Sequence, residues 1–246
     1  MRVIDEPYTR TPFYGSRRIT ADLHRQGYAV NRTRVHRLMH TMGLAAIEPR
    51  PRLSVRHTEH QVSPDVLHDG VIQRPFQVWS ADITSGPMRH GVMSLVVILD
   101  WYSRSVLSWH LSNTMDGAFC VTALEQALAQ GRPEVFNTDQ GAQCTALAFT
   151  TRVAAAHVAI SRDGRGRVLD NIFVERLWRT VKYEDMYLKD YGSVLEMEAG
   201  LAAYFWFYHH QRLHHALEYR TPAEVHFNHE RVVTPAQPDE QGEEAY

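Results

Sequence analysis

The chain of 246 residues has only two cysteines, Cys120 and Cys144, and no CxxC pair. That excludes a disulfide-stapled scaffold and a thiolate zinc ribbon, and leaves two reduced, buried thiols as the expectation. Long apolar runs are missing too. None approaches the ~18 residues of a membrane span, and the opening Met1-Arg2-Val3-Ile4 is no secretory leader, so a cytoplasmic chain without membrane partners is expected. His57 and His60 form an HxxH, but no cysteine pair follows to complete a zinc site, and both are read as solvated. No internal repeat is present.

Lysine is absent from the first 60 residues, which instead hold 11 arginines against 5 acids, a net of +6. The whole chain carries −2, so this excess is offset elsewhere: residues 228–246 hold one arginine against 5 acids. A basic first module joined to a nearly neutral body points to a polyanion partner for that module.

Within the module, "GSRRITADLHRQG" places Ile19 and Leu23 four residues apart, with Ser16 as a candidate cap and Gly27 as a stop. After "YAV", Asn31 is positioned to cap "RTRVHRLMHTMG", whose Val35, Leu38, Met39 and Met42 make an apolar stripe. Two short helices and a tight turn predict a helix-turn-helix. Arg32, Arg34 and Arg37 then lie near the start of a recognition helix, where side chains reach DNA, and Arg17 and Arg18 lie on the helix before it.

Proline-rich residues 48–75 predict a linker, and from Phe76 the pattern turns to strands. "QVWSADIT", "GVMSLVVILDWYS" and "RSVLSWHLS" are followed by a helix at "MDGAFCVTALEQALAQG", a strand "EVFNTD", a helix "TALAFTTRVAAA", a strand "VAIS" and a further helix. This order predicts an α/β fold with a mixed five-stranded sheet flanked by helices, behind a small all-α module. The expected boundaries are 1–47 for the module, 48–75 for the linker, 76–227 for the core and 228–246 for a disordered acidic tail.

Asp82 and Asp139 end two of the strands, on the rim where α/β folds place their sites. Glu175 lies on the helix after the fifth strand, beside an apolar stripe that includes Leu169, Ile172 and Trp178. Three carboxylates brought together stay ionised near neutral pH only with compensating charge, which hard cations supply, Mg²⁺ first. A pair of ions is the usual device for displacement at phosphorus. Arg179 and Lys182, four and seven residues after Glu175, share its helix face and could hold a DNA backbone; Arg162, Arg165 and Arg167 precede that helix. Asp100, Asp163, Asp170, Glu184 and Asp185 are the other acids that could serve.

The segments "WSADIT", "FNTDQGAQCTALAF", "ISRDGRGRVLDNIFVERLWRTVKYE" and "YHHQRLHHALEYRTPAEV" together resemble the integrase catalytic core of OrfB-type insertion-sequence transposases, relatives of the retroviral integrases. The resemblance runs from about Pro12 to Phe227 and includes that family's helix-turn-helix. It implies an RNase H-like fold and metal-dependent DNA strand cleavage and transfer at the element's terminal inverted repeats. Asp82, Asp139 and Glu175 match the metal-binding triad, with Mg²⁺ or Mn²⁺, two ions in the DNA complex, as cofactor. Lys182 matches the basic residue seven positions after the glutamate, and Asn171 matches the "DN". Also implied are target DNA, a homo-multimer assembled on DNA, a partner protein from an upstream frame and a nucleoid-associated location. The chain departs from the family pattern at Ser85, Arg162, His209 and Leu213. Two alternatives from other classes are a DNA-binding accessory protein without chemistry and a host nuclease on the same fold.

Overall fold

A computed structural model describes residues 1–47, 72–114, 117–138, 147–162 and 172–228. Most of the expected linker, the acidic tail from residue 229, His57, His60, Asp139, Cys144, Asp163, Arg165, Arg167, Leu169, Asp170 and Asn171 lie outside the described residues.

The N-terminal module has three helices: α1 (Arg2–Arg10), α2 (Ser16–Arg25) and α3 (Arg32–Thr41). Asn31 caps α3 as expected, its side chain accepting from the Arg34 N–H at 2.8 Å. Gly27 and Gly43 close α2 and α3 with φ of +88° and +68°, a backbone that glycine adopts without strain. Ser16 is the first residue of α2 and does not cap it. Gly15 occupies the cap position, and the Ser16 carbonyl accepts the Thr20 hydroxyl instead. Helix α1 is not expected from the sequence, because Pro7 argues against a helix interior. It forms nonetheless, with Ile4 and Pro7 buried against the module.

The sheet runs β3-β2-β1-β4-β5, from β1 (Val78–Met88), β2 (Gly91–Asp100), β3 (Val106–Ser112), β4 (Val135–Thr138) and β5 (Ala159–Arg162). The first three strands pair antiparallel; β4 and β5 add in parallel. β1 extends beyond "QVWSADIT", through Pro87 to Met88. Past Ala81 it has no described partner on the β4 side, so the missing N–H of Pro87 breaks no ladder there.

Helices cover both faces. α4 (Ala118–Leu128) and α5 (Leu147–Ala155) bury Trp79, Ala81, Val96, Ile98 and Phe136, and Cys120 on α4 lies in this core. On the other face α6 (Ile172–Val181) and α7 (Val194–His210) pack on Leu95, Val97 and Leu99. Strand alternation sends Trp79 and Ala81 to the first face and Ser80 and Asp82 to the second. A 3-10 turn (His215–Leu217) and α8 (Pro222–Phe227) complete the described chain.

The module is seated directly on the core. Leu213, just after α7, is buried in the module's own apolar cluster with Ile19, Leu23 and Val35, and its N–H donates to the Tyr14 hydroxyl at 2.9 Å. Arg25 of α2 donates to the Tyr219 carbonyl and to Glu224, which belongs to the capping box that starts α8.

Candidate functional site

Asp82 sits near the middle of β1, on the face covered by α6. The Trp178 indole N–H donates to its Oδ2 at 2.7 Å, and the Ile83 backbone N–H to its Oδ1 at 2.8 Å. Trp178 is buried because it continues the apolar stripe of Val174, Leu177 and Val181. Glu175 is one turn earlier on the same helix and exposed. The stripe therefore seats α6 on the sheet, the indole meets Asp82, and Glu175 emerges at the margin of that contact.

The start of α6 is held by the turn between β2 and β3. Phe173, two residues before Glu175, meets the Trp101 ring edge-on at 5.2 Å, and the Arg104 guanidinium lies over the Phe173 ring, 3.3 Å from its centroid. Trp101 is itself anchored, donating to the Ser80 hydroxyl at 2.8 Å. Arg104 has a positive φ of 61°, and its pKa is lowered to about 10, chiefly by burial. Its Nη1 is buried with no hydrogen-bond partner among the described residues. The ring below it serves in part as its counter-charge, through attraction between the cation and the π face.

Three of the rival acids are accounted for. Asp100 is fully buried and accepts from the Phe76 N–H and from the Ser103 N–H and hydroxyl, fixing the β2–β3 turn. The π-helical turn Lys182–Met186 continues α6 and turns Glu184 and Asp185 inward. Asp185 accepts from the Tyr191 hydroxyl and pairs with Lys189 at 2.5 Å. Glu184 takes a two-pronged bond from buried Arg212 at 2.6 and 2.7 Å, one from Tyr204 at 3.0 Å, and pairs with Arg18 of the module at 3.4 Å. Burial opposes the charge of Arg212, yet the Glu184 carboxylate beside it raises its pKa above the ordinary arginine value. Burial raises the Tyr204 hydroxyl well above its usual pKa. These groups form a buried ionic cluster that joins module to core. Arg212 and Tyr204 are not legible as partners of Glu184 from the sequence, because nothing in their neighbours marks them as such.

Among the expected DNA contacts, Arg32, Arg34 and Arg37 are exposed on α3, Arg17 is exposed on α2, and Arg179 is exposed on α6. Lys182 is half-buried at the start of the π turn, Arg18 is engaged with Glu184, and Arg162 ends β5. Among the described residues no group of three His, Cys, Asp or Glu side chains is arranged to hold a metal, with Asp139 outside them. No helix among the described residues is long and apolar enough to cross a membrane.

Comparison with known proteins gives this geometry a family. The Integrase core domain family matches residues 72–167 and, in a second form, residues 156–222; an HTH-like domain matches residues 1–52. The transposase for insertion sequence element IS629 of Shigella sonnei is 31% identical over 91% of this chain and 76% of its own length. The transposase for IS904 of Lactococcus lactis is 30% identical over 85% of each. Among solved structures, the HTLV-2 integrase catalytic core domain in complex with magnesium covers 62% of this chain and 97% of that one at a TM-score of 0.50 and 19% identity. A chain of the simian T-cell lymphotropic virus intasome complex covers 99% of this chain and 78% of that one at a TM-score of 0.56 and 20% identity. At such identities these two likenesses speak to the fold alone, which is RNase H-like. The relatives at 30% identity and above speak to more: the chain belongs to the insertion-sequence transposases, DDE-type polynucleotidyl transferases built on an integrase core.

Proposed function

We propose that the chain cuts and joins DNA strands at the terminal inverted repeats of its insertion sequence, with Asp82, Asp139 and Glu175 holding two Mg²⁺ or Mn²⁺ ions. The observation that carries this reading is the 2.7 Å bond from Trp178 to Asp82, which sets the helix of Glu175 against the strand of Asp82. The described parallel pairing of β1 and β4 stops at Ala81 and Thr138, and Asp82 and Asp139 are the residues that follow these two in sequence. The donor set fits a hard cation: carboxylate oxygens, with Glu175 exposed and in no ion pair among the described residues. When bound, such ions activate the attacking oxygen and stabilise the leaving oxygen in displacement at phosphorus. The HTLV-2 domain with magnesium supports the same choice here.

The chain's own groups do the positioning. Trp178 orients the Asp82 carboxylate, and Trp101 and Arg104 hold Phe173 so that Glu175 leaves the helix at a set point. Arg32, Arg34 and Arg37 grip the terminal repeat, and Arg17, Arg162, Arg165, Arg167, Arg179 and Lys182 hold phosphates of end and target DNA, whereas Arg18 is engaged with Glu184. The intasome likeness supports a multimer on DNA. Joining of labelled element-end oligonucleotides in Mg²⁺ tests the proposal. Asp82→Asn, Asp139→Asn and Glu175→Gln should each abolish joining while DNA affinity persists. Undiminished joining by any of them removes that residue from the site, and no joining by the wild-type chain favours an accessory DNA-binding role.

A further inference from the structure

A groove of about 590 Å³ runs between the module and the core, one turn along α6 from Glu175. Its module wall is the start of α2 and α3, with Arg17 and Arg32. Its core wall is α6 and the π turn, with Arg179 and Tyr183, and the Tyr219 ring closes one side. The buried cluster of Arg18, Glu184 and Arg212 underlies the groove and holds the two walls together.

Three features describe what fits there. Arg17, Arg32 and Arg179 are exposed and form no ion pair among the described residues, whereas the one acid in the lining, Glu184, is already paired twice. The groove therefore presents unspent positive charge. No side chain caps α2 and no acid lies in its first turn, so its backbone N–H groups add to that field. Tyr183 is exposed on the wall, meeting Tyr187 edge-on at 5.1 Å, and contributes to neither core cluster. Cations interleaved with open aromatic faces suit unpaired nucleotides, whose phosphates and bases are exposed together. The volume is that of a site for one or two nucleotides, within the roughly 300–1,000 Å³ range of small-molecule pockets.

We infer that this groove holds an unpaired DNA strand adjoining the duplex at the reacting end, with phosphates on Arg17, Arg32 and Arg179 and a base stacked on Tyr183. The inference rests on the strand-transfer reading and adds to it a site that separates the strands beside the carboxylates. Its test needs no chemistry. The full-length chain is titrated, without divalent metal, against a fluorescent duplex bearing a 3′ tail of about six unpaired nucleotides, and against the same duplex blunt. The tailed duplex should bind about tenfold more tightly, and Tyr183→Ala and Arg179→Gln should each remove about fivefold or more of that preference. Binding of the blunt duplex should be unchanged by Tyr183→Ala and weakened less than that of the tailed duplex by Arg179→Gln, and Tyr183→Phe should behave as wild type. Equal binding of the two duplexes, or equal weakening of both by the variants, overturns the groove assignment. Because the assay is metal-free, loss of joining activity in the carboxylate variants would leave its outcome unaffected, so the two readings fail separately.

Discussion

Among the described residues Asp82 accepts from the Trp178 indole and the Ile83 N–H, and the first of these donors sits on the helix that also presents Glu175. An indole N–H held at 2.7 Å by a packed ring fixes the carboxylate's rotation, which on the proposed reading preorganises it for a metal. Trp178→Phe keeps a ring in the stripe and removes only this donor. Metal affinity, read by Mn²⁺ calorimetry, should fall about 10- to 100-fold, the usual cost of losing an outer-shell partner. Stability in urea should drop by only about 1 kcal/mol. Unchanged metal affinity would reduce Trp178 to a packing residue. His209 shows a second residue-scale effect. Its Nε2 accepts the Val106 N–H at 2.9 Å, and burial, helped by His210 and His226, lowers its pKa to about 4 from an ordinary 6.5. The fold thus favours neutral His209. The stability this contributes is complete above about pH 6.5 and is lost as pH falls toward about 4. His209→Asn removes that titration, so the slope of unfolding free energy against pH in this window should flatten by up to about 1.4 kcal/mol per pH unit. An unaltered slope would mean that His209 is already charged in the fold.

At the scale of elements, the π turn is the junction. The wider turn Lys182–Met186 lets two consecutive acids, Glu184 and Asp185, both face inward, one to Arg212 and Arg18, the other to Tyr191. Glu184→Gln leaves Arg212 buried without its counter-charge and should cost about 3–5 kcal/mol in urea unfolding. Replacing both partners by apolar residues, Glu184→Leu with Arg212→Met, should recover most of that loss. If the single and double variants are equally destabilised, the pair is not the source. Much of this architecture was legible in the sequence. Helices α2 and α3, the Asn31 cap, the five strands and α6 followed from periodicity and turn residues, and the family segments named Asp82 and Glu175. Helix α1 escaped because Pro7 speaks against a helix until Ile4 and Pro7 find the module's core. The junction escaped for another reason: Glu184 and Arg212 are separated by 28 residues, and local pattern cannot pair them. Two departures from the family pattern acquire a purpose only here. His209 supplies an acceptor for Val106, and Leu213 keeps an N–H for Tyr14 that proline would lack.

On the scale of the whole molecule, charge is divided but the body is joined. The first 60 residues carry +6 against −2 overall, and the structure seats the described part of that basic segment on the core through Leu213, Arg25 and Glu184. On the proposed reading, DNA affinity and chemistry are coupled through a fixed distance between α3 and Glu175. Deleting the module would uncover Arg212 and Leu213, so charge removal at intact packing is the cleaner probe. Arg32, Arg34 and Arg37 are exposed, and their replacement by glutamine should leave unfolding within about 0.5 kcal/mol of wild type. Each arginine withdrawn from a phosphate should make the fall of log affinity with log salt shallower by about 0.9 on duplex DNA. The triple variant should therefore bind element-end duplex with a slope reduced by about 2 to 3, and joining should fail at moderate salt while returning at low salt. Arg152→Gln is the matched control, since Arg152 is paired with Glu125 on α4, away from the module. A slope that moves equally in the control and the triple variant, or in neither, would mean that the arginines of α3 are a solvated face and that the grip on DNA lies elsewhere.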